Sequence, residues 1–218
     1  METVPNPALV VMGLTLLGLA PFLAILVSSF VKMVVVVHIV RSALGLQQAP
    51  PNLAINGLAI IMSIYVMAPV IMNTHEVFIS QNIEITDVEN PRLKDALADA
   101  IAPMQSFLTK HSDENERNFF LNTTKKIWPE KFSENITDQN LLILTPAFLV
   151  SELTEAFEIG FMLYLPFVII DLIVSNILIS MGMIMVSPIL ISMPFKILLF
   201  VLVDGWSRLI HGLILSYQ

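Results

Sequence analysis

The chain has 218 residues, of which 56% are hydrophobic and 13% are charged, and its mean hydropathy is +0.78. A soluble domain carries about 25% charged residues, so this chain has too little charge to cover a globule of its size with a polar surface. The net charge of −7 argues against a nucleic-acid-binding protein, which normally presents a basic patch. The absence of cysteine excludes disulfides and thiolate metal sites. The composition therefore indicates an integral membrane protein, or a subunit that is buried in a larger assembly.

The distribution of charge divides the chain into three parts. Of 29 charged side chains, 19 lie between Glu76 and Asp138, which predicts a water-facing acidic insert over residues 75–140. Residues 1–74 and residues 141–218 are apolar blocks that carry few charges. We expect each block to form a hydrophobic helical hairpin.

The first apolar block contains two runs that are as long as a membrane span. Residues 8–31 and 53–72 carry no charge, and a helix needs about 20 residues to cross a hydrocarbon layer of ~30 Å. The connection between them, taken as residues 32–51, contains Lys32 and Arg41 and no acidic residue. The positive-inside rule then places this connection in the cytoplasm, with the insert and both termini on the outer side.

The polar insert is predicted to be helical. Asn90 followed by Pro91 is typical of a helix start and predicts a helix over residues 92–102. Asp113, with Glu116 three residues later, resembles a capping box and predicts the start of a second helix. The insert is therefore expected to form a small helical cap.

The second apolar block predicts the last two hydrophobic helices. Residues 161–179 and 189–203 are each interrupted by one charge only, Asp171 in the first and Lys196 in the second. A turn centred near Ile184 puts both charges at the same depth of an antiparallel hairpin. A charge inside a membrane costs at least about 2.5–3.5 kcal/mol, so we expect the two to pair, within the hairpin or between neighbouring copies. The alternative is a coupling pair for ion transport.

Three glutamates precede this hairpin. Glu152, Glu155 and Glu158 recur every three residues, along one flank of a helix that is predicted to begin at Pro146. They form either a solvated face or an acidic stripe that meets a partner subunit or lines an aqueous path.

The turn of the last hairpin is rich in methionine. Four of the twelve methionines lie within 13 residues, at positions 181, 183, 185 and 193. Methionine is unbranched and adaptable, so it fills irregular gaps and repacks. In a single protein these side chains would be core or lipid-facing residues. In a ring of identical subunits, Met181, Met183 and Met185 would instead form a deformable collar around a passage.

Several long motifs occur in a familiar order. They are RSALGLQQAPPN at 41–52, PAFLVSELTEAF at 146–157, IGF at 159–161, LPFVIID at 165–171, the Met-Gly-Met loop, and PFKILLFVLVDGW at 194–206. Together they closely resemble the SctR/YscR/FliP family, the core export-apparatus subunits of bacterial type III secretion systems. The first twenty residues lack a basic segment, which resembles the injectisome branch more than the flagellar branch.

The resemblance implies a non-enzymatic gate for unfolded secreted proteins in the bacterial inner membrane. It implies a homopentamer that assembles with SctS-like and SctT-like subunits and an SctU-like switch protein, in contact with lipid and largely at periplasmic level. It also implies that Met181, Met183 and Met185 form a pore gasket, and that Asp171 and Lys196 pair between subunits.

The predicted fold is an all-α membrane protein in which two hydrophobic hairpins flank the polar insert. The resemblance implies that the four hydrophobic segments are bent or broken, and prolines at 21, 69 and 166 agree with this. The alternative function is a secondary transporter or ion channel that uses Asp171 and Lys196, although no internal repeat supports it. An enzyme, a cofactor and a metal are not expected, because nucleotide and zinc motifs are absent and the four histidines lack ligand spacing.

Overall fold

The computed structural model describes residues 14–15, 18–19, 21–22, 24–80 and 93–218, and the regular elements in these residues are all helical. The described residues between 14 and 26 are helical as well. We number the helices that follow α1 (Phe30–Ala43), α2 (Asn52–Ser80), α3 (Leu93–Lys110), α4 (Glu114–Ile127), α5 (Glu130–Ser133), α6 (Leu141–Ser180), α7 (Pro188–Leu202) and α8 (Gly205–Leu215). The all-α prediction is confirmed for this part of the chain.

Two of the described helices are long and apolar enough to cross a membrane, over Asn52–Val77 and Leu141–Ser180. Helices α7 and α8 together form a third candidate, which is bent by 62°. At 1.5 Å per residue, the 40 residues of α6 extend about 60 Å, twice the ~30 Å hydrocarbon layer. The predicted first segment, residues 8–31, lies largely outside the described residues. The count of four segments in two hairpins therefore stays a prediction.

Lys32 lies inside a helix, and not in the loop that was predicted over residues 32–51. Helix α1 begins at Phe30 because its apolar side chains recur at helical spacing and pack into the protein. Those that are fully buried are Met33, Val36, Val37 and Val40. The loop shrinks to residues 44–51, and Arg41 remains as the basic residue beside it. The orientation of the chain across the membrane stays a prediction. It now rests on Arg41 and no longer on Lys32, which lies inside α1.

A glycine turn and one arginine fix the connection from α1 to α2. Gly45 has a φ of +78°, and its N–H donates to Ser42 O at 3.0 Å, which closes α1 with a Schellman turn. Arg41 Nη1 donates to Asn52 Oδ1 at 2.6 Å and to Pro50 O at 3.3 Å. One side chain therefore ties the two ends of the loop together.

Helix α6 begins earlier than predicted. Its N-cap is Asn140, whose Oδ1 accepts the N–H of Leu142 at 3.0 Å. The start predicted at Pro146 is wrong, because Pro146 and Pro166 both lie inside one continuous helix. Each proline removes one backbone hydrogen bond. Burial of the first turns, including Phe148, favours the helix nevertheless.

Helix α3 is longer than the sequence predicted. The cap predicted at Asn90 and Pro91 lies outside the described residues. The helix continues through Pro103 to Lys110, well beyond the predicted end at residue 102. Its buried face joins the insert to the hydrophobic helices, since Phe107 packs with α2 and α6.

The predicted start of the second insert helix is confirmed. Asp113 is the N-cap of α4, and its Oδ1 accepts the N–H of Asn115 at 2.7 Å. The N–H of Asp113 donates in turn to Ser151 Oγ of α6 at 2.8 Å. The same residue therefore starts α4 and attaches the insert to the long helix. The three-part division of the chain stays a prediction.

Two apolar clusters hold the helices together. The larger cluster joins α1, α2, α6, α7 and α8, and it includes Val37, Ile55, Ala156, Phe200 and Leu213. The smaller cluster joins α2, α3 and α6, and it consists of Met67, Phe107, Leu108, Leu144 and Phe148. Tyr217 packs against both clusters, so the C-terminal end of the chain connects them.

Candidate functional site: two ion pairs and a methionine loop

Asp171 of α6 and Lys196 of α7 pair across the last hairpin. Lys196 Nζ lies 2.5 Å from Asp171 Oδ2, and Lys196 is only 3% exposed. Ser192 Oγ donates to the other carboxylate oxygen, Asp171 Oδ1. The two charges thus lie at the same depth, as the position of the turn predicted. They pair within one hairpin, which was one of the two alternatives; pairing between subunits stays a prediction.

The ammonium of Lys196 also contacts α1. It donates to Ala43 O, at the end of α1, at 3.1 Å. Because Lys196 is buried, removal of its carboxylate partner would leave the ammonium without a compensating charge. Lys196 therefore connects α1, α6 and α7 at one point.

Burial separates the three glutamates that were predicted to share one flank of α6. Glu152 is fully buried, whereas Glu155 is half-exposed and Glu158 is exposed. Lys32 Nζ lies 2.8 Å from Glu152 Oε1, an ion-pair contact without hydrogen-bond alignment, and donates to Glu155 Oε2 at 2.6 Å. The solvated-face interpretation is therefore wrong for Glu152, because Lys32 holds it inside the protein. Contact of Glu155 and Glu158 with a partner subunit or an aqueous path stays a prediction.

Tyr217 completes this ion pair, and no pattern in the sequence predicts its part in it. Its hydroxyl donates to Glu152 Oε2, and the centre of its ring lies 4.3 Å from Lys32 Nζ. The ring also stacks on Phe107, with the centroids 6.1 Å apart, and its centroid lies 5.0 Å from that of His111. We define the Lys32 network as Lys32, Glu152, Glu155 and Tyr217.

Burial keeps two groups at this network neutral. Burial, followed by the negative charge of Glu152, raises the pKa of Tyr217, so its hydroxyl remains a donor. Burial lowers the pKa of His111 to about 4, helped by the positive charges of Lys110 and Lys32 and opposed by Glu155. At neutral pH, His111 therefore adds no positive charge beside Lys32.

A glycine turn ends α6 and starts the methionine loop, residues 181–187. Gly182 has a φ of +74°, and its N–H donates to Ile179 O at 3.0 Å. The N–H of Met183 donates to Leu178 O at 2.9 Å, which completes a Schellman turn. Pro188 then begins α7.

The three methionines of this loop are exposed. Met185 is fully exposed, Met181 is 67% exposed and Met183 is 43% exposed. Met181 and Met183 also line an apolar cavity of about 520 Å³ between α6 and α7. Met193 is half-buried on α7, away from this group. The loop therefore presents three flexible apolar side chains that the described residues leave partly or fully exposed.

The FliP family matches residues 13–213 of the sequence. The chain belongs to the FliP family. Yop proteins translocation protein R of Yersinia pestis is 48% identical over 217 residues, which cover 100% of this chain and 99% of that protein. Hypersensitivity response secretion protein HrcR of Ralstonia nicotianae is 43% identical over 223 residues, covering 100% of both. Virulence protein YscR of Salmonella typhimurium is 43% identical over 217 residues, covering 99% of this chain and 100% of that protein.

These similarities confirm the resemblance that the motifs indicated, and with it the assignment to type III secretion. In this FliP-family chain, the last motif spans the bend between α7 and α8. Asp204 adopts a φ of +54° at the bend, and a Cβ atom on Gly205 would lie 2.4 Å from the Phe200 ring. Within the described residues, no group of three or more His, Asp or Glu is placed to hold a metal ion.

Proposed function

We propose that this chain is a core subunit of a type III secretion export gate, which conducts unfolded proteins across the bacterial inner membrane. Family membership and the names of the relatives, which are translocation and secretion proteins, support the secretion part of this proposal. The exposed methionine loop is the observation that supports a gate.

In the proposed gate, Met181, Met183 and Met185 of several copies close the passage. These side chains are apolar, unbranched and lie at the tip of the hairpin that α6 and α7 form. A ring of them excludes water and ions when closed, as hydrophobic constrictions of channels do. Because methionine repacks readily, the same ring can adapt to the varied side chains of an unfolded polypeptide.

The exposed apolar surface supports assembly into a ring. Large apolar side chains remain exposed along α6 and α7, among them Phe157, Phe161, Ile169, Leu172 and Phe195. An exposed apolar surface of this extent marks a protein or membrane contact. We propose that sister copies in a pentamer, SctS-like and SctT-like subunits, an SctU-like switch protein and lipid cover it. The polar insert would lie on the periplasmic side, and Glu158 would face a partner or the passage.

The ion pair of the last hairpin supports a structural role over a transport relay. The ammonium of Lys196 contacts both Asp171 and Ala43 O, so its charge is already compensated by the protein. A coupling pair must exchange these contacts for an ion during each cycle. We therefore propose that the pair holds the hairpin and its neighbours in place.

The gate is tested by replacing Met181, Met183 and Met185 with alanine together. Shorter side chains leave the closed ring wider, so ion conductance through the assembled apparatus is expected to rise. Conductance is measured across a planar bilayer that contains the purified complex. The matched control replaces an exposed methionine of α2 outside the loop, Met72→Ala, and should leave conductance unchanged. Equal conductance of the triple variant and the wild type would count against the gate.

The mass of the detergent-solubilised particle tests the stoichiometry. Native mass spectrometry of the chain expressed with SctS-like and SctT-like subunits is expected to give five copies of it per particle. A different copy number would overturn the pentamer while leaving the role in secretion intact.

A further inference from the structure

A groove runs between α6 and the bend from α7 to α8. It has a volume of about 510 Å³ and is lined almost entirely by apolar side chains, including Phe167 and the buried Val40 and Leu209. This volume lies within the range of about 300–1,000 Å³ that is typical of small-molecule sites. Gly212 keeps one wall open, since a Cβ atom there would meet no atom within 4 Å.

Among the described residues that line this groove, Arg208 is the one that carries a charge, and it is exposed. Among the described residues, its guanidinium forms no hydrogen bond or ion pair with the protein. Its backbone N–H donates to Asp204 O at 3.1 Å. A guanidinium binds phosphate through two parallel hydrogen bonds, so Arg208 is a phosphate-binding group beside an apolar groove.

We propose that this groove binds an anionic phospholipid, with one acyl chain between α6 and α8 and the phosphate on Arg208. A small soluble anion would bind the guanidinium but leave the apolar lining in water. A neutral hydrocarbon would cover the lining but leave the guanidinium without a partner. A phospholipid supplies both groups in one molecule, and basic pockets between membrane helices bind such headgroups. Helices α6, α7 and α8 are apolar enough to lie in lipid, so phospholipid would surround the groove.

Binding is measured by native mass spectrometry of the delipidated full-length chain in detergent. The two probes are phosphatidylglycerol and phosphatidylcholine with identical acyl chains, which differ in net headgroup charge. The wild type is expected to prefer phosphatidylglycerol. Arg208→Gln removes the charge-assisted contact, so this preference should fall about tenfold. Arg208→Lys keeps the charge and should retain part of the preference.

Two glycine substitutions, one inside the groove and one outside it, test whether the lipid binds in the groove. Gly212→Leu adds a side chain to the lining of the groove, at a position where a Cβ atom meets no neighbour, and should reduce retention of both lipids. Gly57→Leu, on α2, also adds a side chain in open space but outside the groove, and should leave retention unchanged. Circular dichroism confirms that each variant keeps its helices; Arg208 is exposed, so its variants are expected to fold.

Three results would overturn the proposal. The first is equal retention of the two lipids by the wild type, and the second is unchanged retention by Gly212→Leu. The third is the finding that protein, an apolar segment of a neighbouring subunit, occupies the groove in place of lipid. Because the chain has no cysteine, Leu163→Cys places a single thiol at the groove. A photoreactive label on that thiol should capture lipid in the assembled complex, and capture of a neighbouring subunit in its place would assign the groove to protein.

Discussion

The hydroxyl of Tyr217 donates the one hydrogen bond that the carboxylate of Glu152 receives among the described residues. Tyr217→Phe removes this donor but keeps the ring that stacks on Phe107. Loss of a donor to a buried acceptor costs about 1–3 kcal/mol. We therefore expect a lower Tm for the full-length variant in detergent, measured by thermal unfolding.

The control for this variant is Tyr65→Phe. Tyr65 lies on α2, is exposed and has no hydrogen bond from its hydroxyl among the described residues, so its loss should not change Tm. If Tyr217→Phe unfolds at the same temperature as the wild type, the tyrosine contributes through its ring and not through Glu152.

His111 makes stability depend on pH. Its pKa is about 4 in the folded chain and 6.5 when exposed to solvent. Between these values the unfolded chain binds a proton that the folded chain does not, so the free energy of unfolding falls as the pH drops through this range. His111→Gln removes this contribution. Its Tm should therefore fall less than that of the wild type between about pH 7.5 and about pH 4.5.

Other groups titrate in the same range, so the comparison needs a second histidine variant. His211→Gln changes an exposed histidine of α8 and should follow the wild type at both pH values. If His111→Gln also follows the wild type, burial does not oppose protonation of His111 in the folded chain.

At the scale of helices, the bend between α7 and α8 depends on one glycine. A Cβ atom on Gly205 would lie 2.4 Å from the ring of Phe200, which packs edge-on against Trp206 with the centroids 5.4 Å apart. Gly205→Ala must displace this ring, and overpacking of this kind costs about 1–3 kcal/mol. Thermal unfolding should show a lower Tm for this variant.

The same substitution about two turns further along α8, at Gly212, is the control. Gly212 has open space where a Cβ atom would be, and alanine favours a helix over glycine by up to about 1 kcal/mol. Gly212→Ala should therefore match or exceed the wild type in Tm. A Gly205→Ala variant as stable as Gly212→Ala would show that the Phe200 ring moves aside without cost.

Local signals predicted the helix ends that depend on nearby residues. Asp113 caps α4 as expected, because its partner is an N–H two residues away. Asp171 and Lys196 lie at matching depths because a single turn relates them. The start of α6 was predicted wrongly, because a proline in a helix resembles a proline at a helix start. Here the side chain of Asn140 makes the cap instead.

Contacts between distant parts of the chain could not be predicted in this way. Lys32 and Glu155 are 123 positions apart, and no spacing rule relates them. Hydropathy also does not distinguish apolar residues that are buried in protein from apolar residues that face lipid. For this reason it could not predict that α1 is buried and that Lys32 lies inside it. Tyr217 gave no signal at all, since a single tyrosine near a chain end fits any environment.

The ion pair between Asp171 and Lys196 forms inside one chain. In an assembly of several copies, it either stays inside each chain or is exchanged for contacts between chains. Asp171 Oδ2 lies 2.5 Å from Lys196 Nζ within one hairpin, so each copy can satisfy its own charges. Reversing either charge alone, by Asp171→Lys or Lys196→Asp, places two like charges together. Because the Lys196 side chain is buried, a like charge beside it, or a second carboxylate in its place, is strongly destabilising. We expect both single variants to lose assembly, measured as recovery of the large particle by size-exclusion chromatography.

The double variant and a mixture of the single variants then separate pairing within a chain from pairing between chains. Asp171→Lys combined with Lys196→Asp in one chain restores opposite charges inside the hairpin, so assembly should recover. Co-expression of the two single variants restores opposite charges only between different copies, because each chain then carries two lysines or two aspartates. With pairing inside the hairpin, the mixture should stay unassembled while the double variant assembles. Recovery of mixed particles would instead show that neighbouring subunits exchange these contacts, since only a pair across the subunit boundary can be repaired by a second chain.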